Sequence, residues 1–228
     1  GFVWGGAVNT GLNIPKGSFG VYWYHRGPFD KEGIDALIEE YEKTGNEDLL
    51  QYNVRKELYE RTGDKKFLRR VPCFDDAEFM GQLHNTVRDT AAAKAKYKFD
   101  YYFVGDEGSL SSYTDSIDFC WDPDTLVEFR KWLESEYKTL DALNAEWKTS
   151  FGRWEDVVPY TTKEALETGN FAPWADHRTY MEVVFAGAYK LVRDAVTEGD
   201  PDGHIAVSGT QVTKAYNGCD WYRLDGII

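Results

Sequence analysis

The chain has 228 residues, enough to bury one substantial core, and a formal net charge of −13 at pH 7. Nucleic acids and anionic membrane surfaces are recognised through clustered lysines and arginines, so this charge argues against either as the partner. Aromatic residues make up 16% of the sequence, and their flat rings can stack on sugar faces as well as fill a core. No apolar run approaches the roughly 20 residues that a membrane-spanning helix needs.

The first 27 residues mix short apolar runs with frequent glycines, a pattern typical of strand ends and tight loops. We interpret residues 2–8 as a strand and residues 21–24 as a second extended segment. The polar and aromatic residues around them could line a sugar site, and they could equally bond to one another within a loop. These residues are Asn9, Tyr22, Trp23, His25 and Arg26.

Residues 28–70 are predicted to be helical, beginning with a cap at Asp30. A short internal echo lies within them: EEYEKTGNEDLLQ at 39–51 resembles ELYERTGDKKFLR at 57–69. Each copy contains a helix end, a Thr-Gly-Asn/Asp stop and a new helix start. Two copies are too few for a solenoid, so we interpret this region as a helical insertion packed over one end of a larger fold.

The next helix begins at Asp75 or Asp76 and leads into an aromatic and β-branched run at 99–105, which is typical of a strand buried on both faces. This run ends abruptly in Asp106 and Glu107. Parallel α/β folds carry their chemistry at strand ends, which makes the two carboxylates a candidate site. The same Asp-Glu-Gly-Ser sequence also suits an ordinary solvated turn.

Residues 111–119 form a polar loop that is long enough to fold over a site. A helix then starts at Asp122-Pro123, and a shorter one is capped by Thr139. Residues 148–175 are predicted to be irregular, as a binding loop or a connector, and residues 176–197 to form the longest helix.

Two further strands are predicted, at 204–208 and at 224–228, and Gln211 lies beyond the tip of the first. Strands that alternate with helices imply βαβ units with parallel pairing. An eight-stranded barrel normally needs about 250 residues, and only about four strands fit here. The predicted fold is therefore α/β: a single, incomplete (β/α)8 TIM barrel spanning residues 1–228, with the helical insertion near 30–70.

The segment 129–157 carries a specific motif. FRKWL at 129–133, YKTLDALNAEW at 137–147 and FGRWEDV at 151–157 resemble the FxxWL…YxTLdaLNxxW…F/W segment of glycoside hydrolase family 42, the β-galactosidase-like (β/α)8 enzymes. The resemblance extends from about Val71 to Ile228, while the first seventy residues match only loosely. In that family an Asn-Glu pair at the tip of strand 4 precedes this segment, so the resemblance implies that Glu107 is the general acid/base.

The resemblance also implies two departures from the family. Asp106 stands where the family has asparagine, and an ionised aspartate cannot donate a hydrogen bond to a sugar hydroxyl. The family's zinc cluster combines a cysteine near Cys73 with a C-x-C-x-x-C run. This chain has Cys120 in that run, but Asp122 and Thr125 in the other two places. We therefore predict no metal and no cofactor, and expect both thiols to be buried and inert.

The implied reaction is retaining hydrolysis of a neutral or decorated saccharide. The family's nucleophile comes from the seventh strand, whereas this chain is expected to end at the sixth, so it should not be a competent hydrolase by itself. The predicted sugar contacts, chosen by their position at strand tips, are Asp106, Asn9, Tyr22, Trp23, His25, Trp121 and Gln211.

Two other functions remain open. The domain could be a non-catalytic carbohydrate-binding or lapsed glycosidase-like protein, or a structural α/β piece whose aromatic residues are all core. An incomplete barrel leaves sheet edges and apolar surface unsealed, which favours a homo-oligomer or the remainder of a longer parent chain as the partner.

Overall fold

The computed structural model describes residues 12, 14, 19, 27–112, 115–208 and 216–228. Two parallel strands form the sheet of this part of the chain: β1 (Tyr102–Asp106) and β2 (Ile205–Ser208). The predicted parallel pairing of these two runs is therefore confirmed. The strands predicted at 2–8 and 21–24 lie outside the described residues.

Eight α-helices lie within the described ranges. They are α1 (Lys31–Thr44), α2 (Tyr52–Thr62), α3 (Ala77–Lys94), α4 (Pro123–Tyr137), α5 (Leu140–Trp147), α6 (Thr162–Thr168), α7 (Ala172–Gly199) and α8 (Trp221–Leu224). Short 3-10 turns follow or separate several of them, at Glu47–Leu49, Lys65–Leu68, Ala95–Tyr97 and Trp154–Asp156. Helices α4 to α7 make the crossover from β1 to β2, as parallel pairing requires. No helix in the ranges described is both long and apolar enough to cross a bilayer.

Helices α1 and α2 end in the same way, as the internal echo predicts. Gly45 and Gly63 adopt left-handed backbone with φ of 67° and 69°, which glycine reaches without the strain a Cβ would add. The following Asn46 and Asp64 accept hydrogen bonds from the first turn of a short 3-10 helix. A third copy of this stop, around Gly169, ends α6.

The region 28–70 has a small core of its own, separate from the main one. It consists of buried side chains from α1, α2 and the adjoining 3-10 turns: Ile38, Leu50, Val54, Leu58 and Phe67. Tyr52 and Leu68 belong instead to the main core, so the two helices are joined to the rest of the structure through them.

The main core is organised around α3 and α7, which make the most extensive helix–helix contact. Val87 and Ala91 of α3 and Val192 and Val196 of α7 are all buried in this core. At the end of α7 the helices approach so closely that Gly199 has no room for a side chain: a Cβ there would lie 2.2 Å from the carbonyl oxygen of Arg88.

Two expectations from the sequence were wrong. Residues 148–175 are not irregular throughout, because the side chains of Thr161 and Glu164 form a reciprocal capping box that starts α6, and α7 already begins at Ala172. Residues 224–228 do not form a strand. The Asp220 side chain accepts a hydrogen bond from the Tyr222 backbone and starts the short helix α8, after which the chain turns.

Candidate active site

Glu107 lies directly beyond the carboxyl end of β1. Its φ is 50°, in the left-handed region that residues with a Cβ seldom adopt, and its side chain is half-buried. The preceding Asp106 is aligned with Ser208 of β2 in the parallel ladder. Strained backbone of this kind clusters at functional sites, where the surrounding contacts enforce it.

Three long-range hydrogen bonds, two from backbone and one from a side chain, hold the turn that carries Glu107. The Ser109 N–H donates to the carbonyl of Phe19 at 2.8 Å, and the Leu110 N–H donates to the carbonyl of Asn217 at 3.0 Å. The carbonyl of Leu110 accepts a hydrogen bond from Nε of Arg70 at 3.1 Å. The position of the turn is therefore set by segments far apart in sequence.

The described part of the loop after this turn is packed inward. Ser111, Ser112 and Ile117 are buried. The Ser111 hydroxyl accepts a hydrogen bond from the Ile117 N–H at 2.9 Å and lies 2.9 Å from the hydroxyl of Tyr52 on α2. In these residues the loop links the β1 tip to the helical region 28–70.

Trp121, a predicted sugar contact, is also buried. Its ring meets His177 edge to face at 5.4 Å between centroids, and Nζ of Lys65 lies 4.3 Å from the Trp121 ring centre. Its Nε1 has no hydrogen-bond partner among the described residues. The indole packs in the core here, so its role as a sugar contact stays a prediction.

The other predicted contacts fall largely outside the structure as described. Asn9, Tyr22, Trp23, His25 and Gln211 lie beyond the described residues. Asp106 is described through its backbone alone. Of the predicted site, the structure therefore places the strand-end glutamate and the buried Trp121.

The residues at the family's zinc positions come together, but as a poor donor set for zinc. Sγ of Cys73 lies 3.3 Å from the hydroxyl of Thr125, and Oδ2 of Asp122 accepts the backbone N–H of Arg70 at 3.0 Å. Burial raises the pKa of the Cys73 thiol to about 11 and that of Cys120 well above its usual value. Zinc sites in proteins take cysteine, histidine, aspartate or glutamate ligands, so the hydroxyl of Thr125 does not fit its place in such a set.

A positive charge also lies beside these residues, because the buried guanidinium of Arg70 interacts with Cys120, Asp122 and Cys73. Within the ranges described, no group of three or more His, Cys, Asp or Glu side chains is arranged to hold a metal ion. The residues present do not fit the family's zinc. Sequence reasoning did not single out Arg70, since nothing local distinguishes it from the neighbouring Arg69.

The fold and the strand-end carboxylate define an α/β protein of the kind that places catalytic groups at the ends of parallel strands. The sequence matches the model of glycoside hydrolase family 42, described as beta-galactosidase, over residues 94–225. That segment is more than half of the chain, and the protein belongs to glycoside hydrolase family 42.

Two curated relatives are the beta-galactosidases BgaB of a Geobacillus strain and of Geobacillus kaustophilus. They are 35% and 25% identical to this chain over 123 residues, which are 52% of this chain and 18% of each relative. The chain thus corresponds to less than a fifth of their length.

Solved structures of the family share the fold at low identity. A beta-galactosidase from the psychrophilic Marinomonas ef1 has a TM-score of 0.57 at 16% identity, covering 76% of this chain and 28% of that one. The exo-carrageenase of family 42 from Bacteroides ovatus has a TM-score of 0.56 at 15% identity, covering 74% of this chain and 25% of that one. At these identities the likeness concerns the fold alone.

Proposed function

We propose that this chain is part of the catalytic domain of a retaining, β-galactosidase-like glycoside hydrolase, with Glu107 as its general acid/base. The observation that carries the proposal is the position of Glu107 at the carboxyl end of β1, inside the segment matched by the family. A half-buried carboxyl on a rigid turn is suited to present one proton in a fixed direction.

The chemistry needs two carboxyl groups about 5–5.5 Å apart. The protonated Glu107 carboxyl gives its proton to the glycosidic oxygen while the second carboxylate attacks the anomeric carbon, and the leaving group departs as an alcohol. The Glu107 carboxylate then takes a proton from the water that hydrolyses the glycosyl-enzyme bond. We assign the second carboxylate to a residue outside these 228, because the family resemblance puts the nucleophile on the seventh strand and the aligned 123 residues span only 18% of each curated relative.

The proposed fold is a single, incomplete (β/α)8 TIM barrel over residues 1–228. The separate core of α1 and α2 supports the interpretation of residues 30–70 as an insertion. A neutral or decorated saccharide is the proposed substrate, contacted by Asp106 as a hydrogen-bond acceptor and by the tip residues named above. Association with a second copy or with the remainder of a longer chain stays a prediction.

The replacement of the family's asparagine by Asp106 favours a second candidate, a carbohydrate-binding or lapsed relative that holds sugar without cleaving it. The two candidate functions are distinguished by making E107Q in the whole natural protein and measuring kcat/KM on a β-galactoside disaccharide. Loss of a general acid should lower kcat/KM by about 10²- to 10⁴-fold.

The matched control is E155Q, which changes an exposed glutamate on a 3-10 turn and should leave the rate unchanged. Full activity of E107Q would refute the acid/base assignment. Sugar binding without hydrolysis by the unmodified protein would favour the second candidate.

A further inference from the structure

We propose that Arg70 is the positioning residue for the Glu107 turn. This proposal rests on the proposed function, because it concerns the residue assigned there as acid/base. Arg70 precedes α3 and lies 37 positions before Glu107 in the sequence, yet its side chain reaches the end of the turn that Glu107 begins.

The guanidinium of Arg70 is held in one place. It is buried, and its Cζ lies 4.5 Å from the centre of the Phe74 ring, on which the planar group rests. Nε donates to the carbonyl of Leu110 at 3.1 Å, and Nη1 donates to the carbonyl of Pro72 at 2.6 Å. Hydrogen bonds from a charged donor are stronger than neutral ones, particularly where water is excluded.

Leu110 is the residue of the turn that Arg70 contacts. Its N–H donates to Asn217 at 3.0 Å while its carbonyl accepts from Arg70. Gly218 packs against its side chain so tightly that a Cβ there would lie 2.6 Å from Cδ1 of Leu110. In the sequence, Glu107 therefore lies between two residues whose positions are held. Asp106 is aligned with Ser208 in the β ladder, and both the N–H and the carbonyl of Leu110 are hydrogen-bonded.

Arg70 is in turn anchored to the start of α4. Its backbone N–H donates to Oδ2 of Asp122 at 3.0 Å, and Asp122 supplies the negative charge that a buried guanidinium needs nearby. Cys73 and Thr125 make a second contact between the same two segments, at 3.3 Å. These two hydrogen bonds join the segments that carry the family's zinc positions.

The test compares R70M and R70K in the whole natural protein. Methionine keeps an apolar stem and removes every donor, whereas lysine keeps the charge but not the planar fork that reaches two carbonyls. The control is R153M, which removes an exposed arginine paired with Asp156. Rates on aryl β-galactosides are normalised to active sites titrated with a mechanism-based inactivator, so that unfolded protein does not count.

We expect R70M to lower kcat per active site by about ten- to hundredfold, since small misplacements of a catalytic group have effects of this size. KM should change little, the alkaline limb of the pH profile, where the Glu107 acid loses its proton, should move, and R70K should recover only part of the rate. If R70M does not fold, kcat per active site and the pH profile of R70K are compared with those of the wild type, and wild-type values would refute the positioning role.

Two other results have distinct meanings. Wild-type kcat and pH profile per active site in the Arg70 variants, with E107Q inactive, would refute the positioning role and leave the proposed function standing. Full activity of E107Q would refute the proposed function, and with it this proposal, whatever the Arg70 variants do.

Discussion

Replacing Gly199 by alanine should force α3 and α7 apart. A Cβ at this position would lie 2.2 Å from the carbonyl oxygen of Arg88, 2.8 Å from the backbone nitrogen of Ala92 and 3.1 Å from Cβ of Ala91, where ordinary contact begins at 3.4 Å. The first two partners are backbone atoms, which cannot rotate out of the way. The helices must therefore separate by about 1 Å along a packed core contact.

The expected cost follows from this geometry. Overpacking a well-filled interior costs about 1–3 kcal/mol, and alanine's advantage over glycine in a helix offsets up to about 1 kcal/mol. Because the obstruction is backbone, we expect the overpacking cost near its upper end, with a net loss of about 2 kcal/mol in the free energy of unfolding. Urea unfolding of wild type and G199A followed by circular dichroism measures this loss.

The matched control is G187A, a glycine on the same helix. Gly187 is exposed, and apart from its chain neighbours and the nearby backbone of its own helix no atom lies within 4 Å of an added Cβ, so alanine there should raise the free energy of unfolding by about 0.5–1 kcal/mol. If the free energies of unfolding of G199A and G187A are equal, the close approach of α3 and α7 at Gly199 is contradicted.

Two more predictions concern buried groups. Burial and the neighbouring Arg178 hold the pKa of His177 well below 6.5, so its contribution to stability is present above pH 6.5 and should fall by about 1.4 kcal/mol as the pH drops one unit below it. The free energy of unfolding is measured at pH 7.5 and 5.5, where H177Q should lack this loss. The control H84Q, which changes a partly exposed histidine, should keep it. A loss in H177Q equal to that of the wild type would contradict the assignment of the pH dependence to His177. Because the donors around Cys73 and Cys120 do not fit zinc, dialysis against EDTA should leave the thermal unfolding midpoint unchanged, and a fall that zinc reverses would contradict that conclusion.

Much of the fold can be predicted because its signals are local. Asp30 accepts a hydrogen bond from the first turn of α1 and Thr139 from that of α5, as their sequence positions predict. The Thr-Gly-Asn/Asp stops are equally local, since the threonine, glycine and cap residue all bond within a few positions. The capping box of α6 is equally local, formed by Thr161 and Glu164, but the tryptophans and the proline of the surrounding stretch favour an irregular segment in the sequence.

The site was less predictable because its contacts are long-range. The end of an apolar run indicates Glu107, but nothing near Arg70 in the sequence points to a carbonyl forty positions away. Asp122 occupies the N-cap position of α4, as its place before Pro123 predicts, but its side chain makes no cap hydrogen bond, and its carboxylate instead accepts the backbone N–H of Arg70. The apolar residues at 224–228 suggested a strand, whereas Asp220, just upstream, starts a helix.

The role of Glu107 as proton donor is tested most directly by its dependence on the leaving group. In the whole natural protein, kcat/KM of wild type and E107Q is measured on a dinitrophenyl β-galactoside, whose leaving group needs no proton, and on an unsubstituted phenyl β-galactoside, whose leaving group does. A proton-donor role for Glu107 predicts a loss of about 10²- to 10⁴-fold on the phenyl substrate and little loss on the dinitrophenyl one. Equal losses on both, or none on either, would contradict it.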